Sequence, residues 1–446
     1  MSDKKNHIVP RHGEKKAGGR HLVSDETIMK KYGISQDADK ENDTDQGGGS
    51  PPPPKGDAGK KRRRRTLIII GIITLVAIGV ILWLAIPNSG NSHYDNNMSG
   101  IVEEVMENKD GFPKSISGTS VDTGNFAVLE EDLIYTSDTS IVRLNHKGTA
   151  VYERNHSFYH PITKTNGEYV MTYNVSSTGW RIDNKKETVR SEESDNVLMA
   201  ADVAANGRYA LVTEVKGYPS QLAVYLEDGT LQYRYSFSNC YVVDVSLNDD
   251  GTRAAVIGVT ANEGALVSEV YLFDFSSETP LTISSCENTL LMAVEYCDGR
   301  ALAVGDNKVV SVNESGEKTE YDYGNRKLSA YDYNGSRLLV GLAPYDSASS
   351  NQLVVLSSKA EEFALQPCTG TMLDVSLRGD TMAVLADEQV SSYSVNAARN
   401  FRGDSEDDAP EAFNVTPASN DTNAIALANE SAVYLLGISE VQYVDY

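Results

Sequence analysis

Five carboxylates stand out among the 63 Asp and Glu residues because they recur along the chain. Asp202, Asp244, Glu295, Asp332 and Asp374 each precede a polar turn and then an apolar strand. Acids repeated on the inner strand of a repeat could line a central channel and take a cation or a basic ligand. They could instead tie their own turn, or a neighbouring unit, by accepting backbone hydrogen bonds. Recurrence in every unit favours the second reading, because a ligand site seldom needs all units alike. His156 and His160 lie four apart, and His146 could join them as a third metal ligand. Exposed loop histidines are the simpler reading, so no metal is assigned. No G-x-S-x-G turn, H-E-x-x-H helix, phosphate loop or dinucleotide fingerprint occurs, so no catalytic residue and no cofactor is assigned. Cys240, Cys286, Cys297 and Cys368 are too few for a disulfide scaffold and wrongly spaced for zinc. Cys240 and Cys286 precede the inner strands of adjacent units, which makes them a candidate disulfide. Cys297 falls in a turn at the other end of its unit and is expected to be free.

Residues suited to binding rather than catalysis lie in three long connections, at 214–220 (EVKGYPS), 258–268 (GVTANEGALVS) and 342–351 (LAPYDSASSN). Long loops on one face of a scaffold are where function concentrates. Tyr218, Tyr345 and Asp346 are the candidate partner-binding residues, the tyrosines being anchors of a kind that interfaces favour. Neutral loop growth is the competing reading. A further insertion at 397–412 (AARNFRGDSEDDAPEA) is acidic and is expected to be unstructured.

These residues need a scaffold, and the chain repeats itself to make one. Gly167, Gly207, Gly251, Gly299, Gly335 and Gly379 close similar turns, each followed by an apolar strand such as YALVTE, TRAAVIG or DTMAVLA. Copies without the glycine flank them, DLIYTS from Asp132 and NAIALA from Asn423. Further strands follow in each unit through turns such as Lys147-Gly148, Asp228-Gly229 and Ser315-Gly316, where glycine accepts positive φ. Four antiparallel strands in about 42 residues are those of a β-propeller blade. Eight blades are expected, or seven if the terminal copies merge. Closure should pair the chain after Asn423 with strands near 122–154. The propeller is placed at 121–446, after a juxtamembrane stalk at 88–120 in which 101–108 (IVEEVMEN) has the pattern of one short helix.

Composition sets the address. Residues 1–65 carry 16 Lys and Arg against 10 Asp and Glu, whereas residues 88–446 carry 24 against 53. So acidic a main domain argues against nucleic-acid binding. Residues 66–86 (TLIIIGIITLVAIGVILWLAI) contain no charge and no proline. At 1.5 Å per residue they reach about 30 Å, one hydrocarbon core, so 66–87 is read as a transmembrane helix. The basic run Lys60-Lys61-Arg62-Arg63-Arg64-Arg65 before it keeps the N-terminus in the cytoplasm and places the acidic domain outside. The tail at 1–65 reads as disordered, with a Gly/Pro linker at 47–54 and a short helical pattern at 25–32 that could dock on a cytoplasmic partner.

The basic tail, the anchor and the Asp-Val-Ser…Asp-Gly turns (Asp244-Val245-Ser246 to Asp250-Gly251) resemble those of a bacterial family of single-pass membrane proteins of uncharacterised function, largely Gram-positive, with an external propeller. More broadly the chain is similar to WD40-like and quinoprotein-like propellers. It lacks the Trp-Asp ending of true WD40 units. Only Trp180 is available for the blade-docking tryptophans of quinoprotein enzymes. The resemblance therefore implies architecture and leaves activity open. The resulting expectation is an all-β, membrane-anchored protein-binding or scaffold module of the cell envelope. The alternatives are an envelope hydrolase or lyase acting on glycans through channel carboxylates, and a sensor relaying an external signal to the tail. The glycan reading needs several aromatics beside the acids, and the sensor reading a partner for the tail.

Overall fold

A strand that is apolar on both sides needs cover on both faces, and radially packed sheets supply it. In the computed structural model, which describes residues 111–345, 350–401 and 409–446, that is how the second strands are used. Tyr169–Asn174 and Arg300–Gly305 are buried along their whole length. Among the described residues there are eight four-stranded antiparallel sheets, each in simple order from the innermost strand outwards. Blades 1 to 7 span 121–155, 161–193, 198–237, 241–287, 291–322, 326–368 and 372–417. Eight apolar clusters hold them together, one between each adjacent pair of blades, so the core is a ring of sandwiched layers.

Blade 8 shows how the ring closes. Its three inner strands, Ala424–Asn429, Ala432–Leu436 and Glu440–Asp445, are C-terminal, and its outer strand is Lys114–Ser115. Lys114 pairs with Val441 and Ser115 with Glu440, and the Ile116 amide extends the ladder to the Ser439 carbonyl. Phe112 stacks on Tyr443 at 5.7 Å and tilts against Tyr434 at 5.8 Å. Closure therefore uses residues assigned above to the stalk, not the strands of 122–154, and the propeller begins before residue 121. Two residues of Lys-Ser carry no strand pattern, and their register comes from the aromatic packing beside them.

Each innermost strand is an edge, with amides on its outer side that find no strand partner. The recurring acids meet that need. Asp202 Oδ2 accepts from the Leu247 amide at 2.7 Å, Asp244 Oδ2 from Val294 at 3.0 Å, Asp332 Oδ2 from Leu377 at 2.8 Å and Asp374 Oδ2 from Ile425 at 2.8 Å. Each of these four reaches the next blade, whereas Glu295 accepts from Ser246 Oγ of the preceding blade at 3.2 Å. The serine of Asp-Val-Ser repeats the contact two residues on: Ser246 Oγ accepts from Tyr296 and Ser376 Oγ from Leu427, each at 3.0 Å. The acids thus stand at two levels. Asp202 and Asp332 reach the residue that follows Ser246 or Ser376, while Asp244 and Asp374 sit one step nearer the start of their strands. Between blades 1 and 2 a neutral side chain does the same work: Asn125 accepts from the Thr163 amide and donates to the Pro161 carbonyl.

Two faces result. The lower face carries the turns from first to second and third to fourth strands. The upper face carries those from second to third strands and the connections between blades. Two of the long connections on it are extended hairpins rather than loops. Arg253–Asn262 and Ala265–Asp274 pair to the tip, where Glu263 (φ 53°) and Gly264 (φ 85°) turn the chain. Positive φ at both central residues suits the strand twist, which lets the hairpin lengthen without splaying. Tyr209–Val215 and Tyr218–Tyr225 likewise leave only Lys216-Gly217 between them. The acidic insertion also differs from expectation at its start: Val395–Asn400 is a helix capped by Ser394, whose side chain accepts from Ala397. Residues 402–408 lie outside the described residues, as do Asp346 and the whole of 1–110 with its tail motif, apolar segment and stalk helix. Among the described residues no helix is long and apolar enough to cross a membrane.

Candidate functional site

The channel is the first place to look, and the protein fills it with its own cation. Lys164, on the inner strand of blade 2, reaches past blade 3 to put Nζ 3.0 and 3.1 Å from the two carboxylate oxygens of Asp244. Lys164 is buried, which works against its charge, but Asp244, Glu295 and Asp202 outweigh that cost and hold its pKa well above the ordinary lysine range. Tyr173 and Tyr331 are buried in the same surroundings, and desolvation raises both phenols. The space beside Lys164, Glu295 and Tyr331 amounts to about 10 Å3, roughly one water. Asp202, Asp244, Asp332 and Asp374 are committed to amides of the next blade, Asp244 also to Lys164, and Glu295 to Ser246.

The histidines do not converge. His146 lies in the lower turn at 145–149, while His156 and His160 lie in the upper connection from blade 1 to blade 2. His156 Nδ1 accepts from the Phe158 amide at 3.1 Å and its ring stacks on Phe158 at 5.0 Å. Burial lowers the His156 pKa. Among the described residues no group of side chains is placed to hold a metal ion.

The candidate disulfide is replaced by two buried free thiols. Cys240 packs with Val242, Ala254 and Val256 against blade 3, and Cys286 with Val243, Ala255 and Ile257 against blade 5. Alternation along the blade 4 strands places these sets on opposite faces of the sheet, so a bridge would have to pass through it. Burial pushes the Cys240 thiol up to about 11, with Tyr271 as its hydrogen-bond partner at 3.5 Å, and Cys297 likewise to about 11. Thiol reagents are therefore expected to leave all four cysteines unmodified in the folded protein and to modify four after denaturation. Gel mobility should not change with reductant. Rapid labelling of the native chain would contradict this packing.

The upper face has the surface of an interface. Exposed large apolar side chains gather on it: Tyr159, Val197, Tyr241, Leu266, Leu373 and Ile438, besides the expected Tyr218 and Tyr345. Of those found elsewhere, Leu231, Ile283 and Val415 lie on outer strands at the rim, and Leu281 and Phe413 in lower connections. In the connections of the upper face Lys216 is the one Lys or Arg among the described residues, against acids that include Asp138, Asp195, Glu263, Asp306 and Asp421. The lower turns hold Lys147, Lys185, Lys186, Arg208, Lys359 and Arg399.

Tyr218 lines a groove on this face. This groove of about 660 Å3 is lined by Asp195 and Val197 from the connection between blades 2 and 3, by Glu214, Lys216, Tyr218 and Pro219 of the blade 3 hairpin, and by Tyr241. Tyr218 is 46% exposed and Tyr241 56%. Tyr345 is 73% exposed, but it belongs to blade 6, three places round the ring, so the two expected anchors do not share a site. Tyr241 escaped the sequence reading. Its signal was an aromatic at the start of an inner strand, where none of the other blades places one.

The fold defines an eight-bladed β-propeller of the WD40-like kind. The chain belongs to a family of unknown function, DUF5711, whose profile matches residues 109–433. No curated protein sequence matches it. Among solved structures it is similar to the C-terminal WD40 domain of Sif2, with 12% identity, a TM-score of 0.52, and 75% of this chain and 96% of that one covered. The computationally designed Ika8 protein matches with 10% identity and a TM-score of 0.51, over 75% and 98% of the two chains. BamB from Moraxella catarrhalis matches with 11% identity and a TM-score of 0.45, over 75% and 100%. At these identities the likeness is one of fold.

Proposed function

We propose that this protein is a protein-interaction module that recruits a partner through the upper face of its propeller, held at the cell envelope by the apolar segment at 66–87. The observation that carries the reading is the coincidence on one face of exposed apolar residues and extended hairpins, with Lys216 the one Lys or Arg among its described connections. Isolated apolar residues on a surface need no explanation, whereas a face that collects them marks an interaction site. The hairpins are hydrogen-bonded to their tips, so they present side chains with little ordering left to do on binding. The anchor itself is supported by the uncharged 66–86 run and the six basic residues before it. On this reading the propeller lies outside the cytoplasm and the tail at 1–65 within it, available to a cytoplasmic partner.

A photo-crosslinking amino acid placed in the full-length chain in intact cells tests the assignment. Positions 241, 266 and 345 on the upper face are expected to give a discrete adduct, and positions 249 and 359 in lower turns none. Adducts from the lower positions alone would move the interface to the other face.

A further inference from the structure

The interaction reading leaves the partner's chemistry open, and the groove at blades 2 to 4 narrows it. We propose that the groove between Tyr218 and Tyr241 seats an extended basic segment of the partner, an apolar or aromatic side chain lying between the tyrosines and a Lys or Arg meeting Asp195 and Glu214. This rests on the interaction-module reading and adds the ligand class. The groove is of a size that takes a few side chains rather than a flat protein surface. Its walls are apolar where Val197, Tyr218, Pro219 and Tyr241 stand, and acidic at Asp195 and Glu214. Tyrosine faces attract cations and carboxylates pair with them, so one Lys or Arg can use both. Lys216 is the only cation in the lining, beside Asp195 and Glu214. A neutral glycan could stack on the tyrosines but would gain nothing from that field, which favours a basic peptide. The field also steers encounter and must weaken as salt screens it, the Debye length falling from about 10 Å at 0.1 M towards 3 Å at 1 M.

The test uses the full-length chain purified in detergent and a fluorescein-labelled twelve-residue peptide alternating Lys with Phe and Tyr. Three comparison ligands accompany it: the peptide with every Lys changed to Glu, the peptide with every aromatic changed to Ser, and a neutral chitin hexamer. Fluorescence anisotropy should show saturable micromolar binding of the first peptide, at least tenfold weaker at 0.5 M salt than at 0.05 M. The comparison ligands should each bind at least tenfold more weakly. Tyr241→Ala, and Asp195→Asn with Glu214→Gln, should each weaken binding at least tenfold with the melting temperature unchanged, whereas Tyr345→Ala should not. Binding indifferent to the groove variants, equal binding of the Glu peptide, or binding of the hexamer in its place would each overturn the inference. The cellular adducts separate this failure from the wider one. An adduct from position 345 with no peptide binding removes the groove proposal and leaves the interaction module. Absence of every upper-face adduct removes both.

Discussion

Deleting residues 424–446 is expected to unfold the whole ring rather than one blade. The deletion removes the three inner strands of blade 8 and leaves Lys114–Ser115 without a sheet to join. On one side it strips cover from Ala383, Leu385 and Val390 of blade 7, and on the other from Phe126, Leu133 and Tyr135 of blade 1. Burial of a Val, Leu, Ile or Phe side chain is worth about 1.5–3 kcal/mol. Removing Ile425, Leu427, Val433, Tyr434 and Leu435 therefore takes away about as much as the roughly 5–15 kcal/mol by which domains are stable. Thermal or urea unfolding read by circular dichroism should show no native transition, and the open edges of blades 7 and 1 should bring aggregation. A milder break tests the same seam. Phe112→Ala removes the ring packed on Tyr434 and Tyr443 while keeping the chain complete, and should lower the melting temperature without abolishing the transition. Near-normal melting of the deletion would mean that the ring does not depend on its closure.

What the sequence made legible were the features that a repeat imposes locally. Apolar second strands and glycine-closed turns fix the number of strands, their order and the two faces, because each depends on a few adjacent residues. The Gly207 and Gly251 turns are cases in point, with φ of 82° and 58° where a side chain would meet backbone strain. The particular partners across blades were not legible. Recurrence marked Asp202 as an acid that ties its own turn or a neighbouring unit, but the amide it accepts from lies 45 residues away. Lys164 carried a signal that could have been used: a lone lysine in an inner strand otherwise of small, β-branched and apolar residues, in a repeat that places acids on its inner strands. Hairpin length was misjudged at 258–268 because Thr260, Ala261 and Asn262 have no marked strand pattern, and only the Glu263-Gly264 tip reveals how far pairing runs. The groove shared this difficulty. Tyr218 was visible as an aromatic in a long connection, but its neighbours Tyr241 and Asp195 come from two other connections that only the ring brings together.

Replacing Asp244 by alanine is expected to be the most damaging single substitution in the channel. Its carboxylate holds the Lys164 ammonium through both oxygens and accepts from the Val294 amide of the next blade. Asp244→Ala leaves a buried ammonium without its nearest counter-charge and a buried amide without an acceptor. Breaking a buried ion pair from one side costs about 3–5 kcal/mol, a large share of a domain's stability. Lys164→Met should cost less, because Asp244 keeps its amide partner and methionine fills the same space without a charge. The double variant should be no less stable than Asp244→Ala alone, since the uncompensated ammonium is gone, and urea unfolding of the four proteins gives the coupling directly. The pH dependence has a definite sign. A lysine whose folded pKa lies above its unfolded value near 10.4 stabilises fully below that value, and the contribution is lost as pH rises through the higher folded value. Buried Tyr173 and Tyr331, also raised, push stability down over the same alkaline range. The difference between wild type and Lys164→Met isolates the lysine: it should be constant from neutral pH to about 10 and shrink above it. A difference that vanished near pH 7 instead would mean that Lys164 is neutral in the fold and that the acids of the channel are held by backbone amides alone.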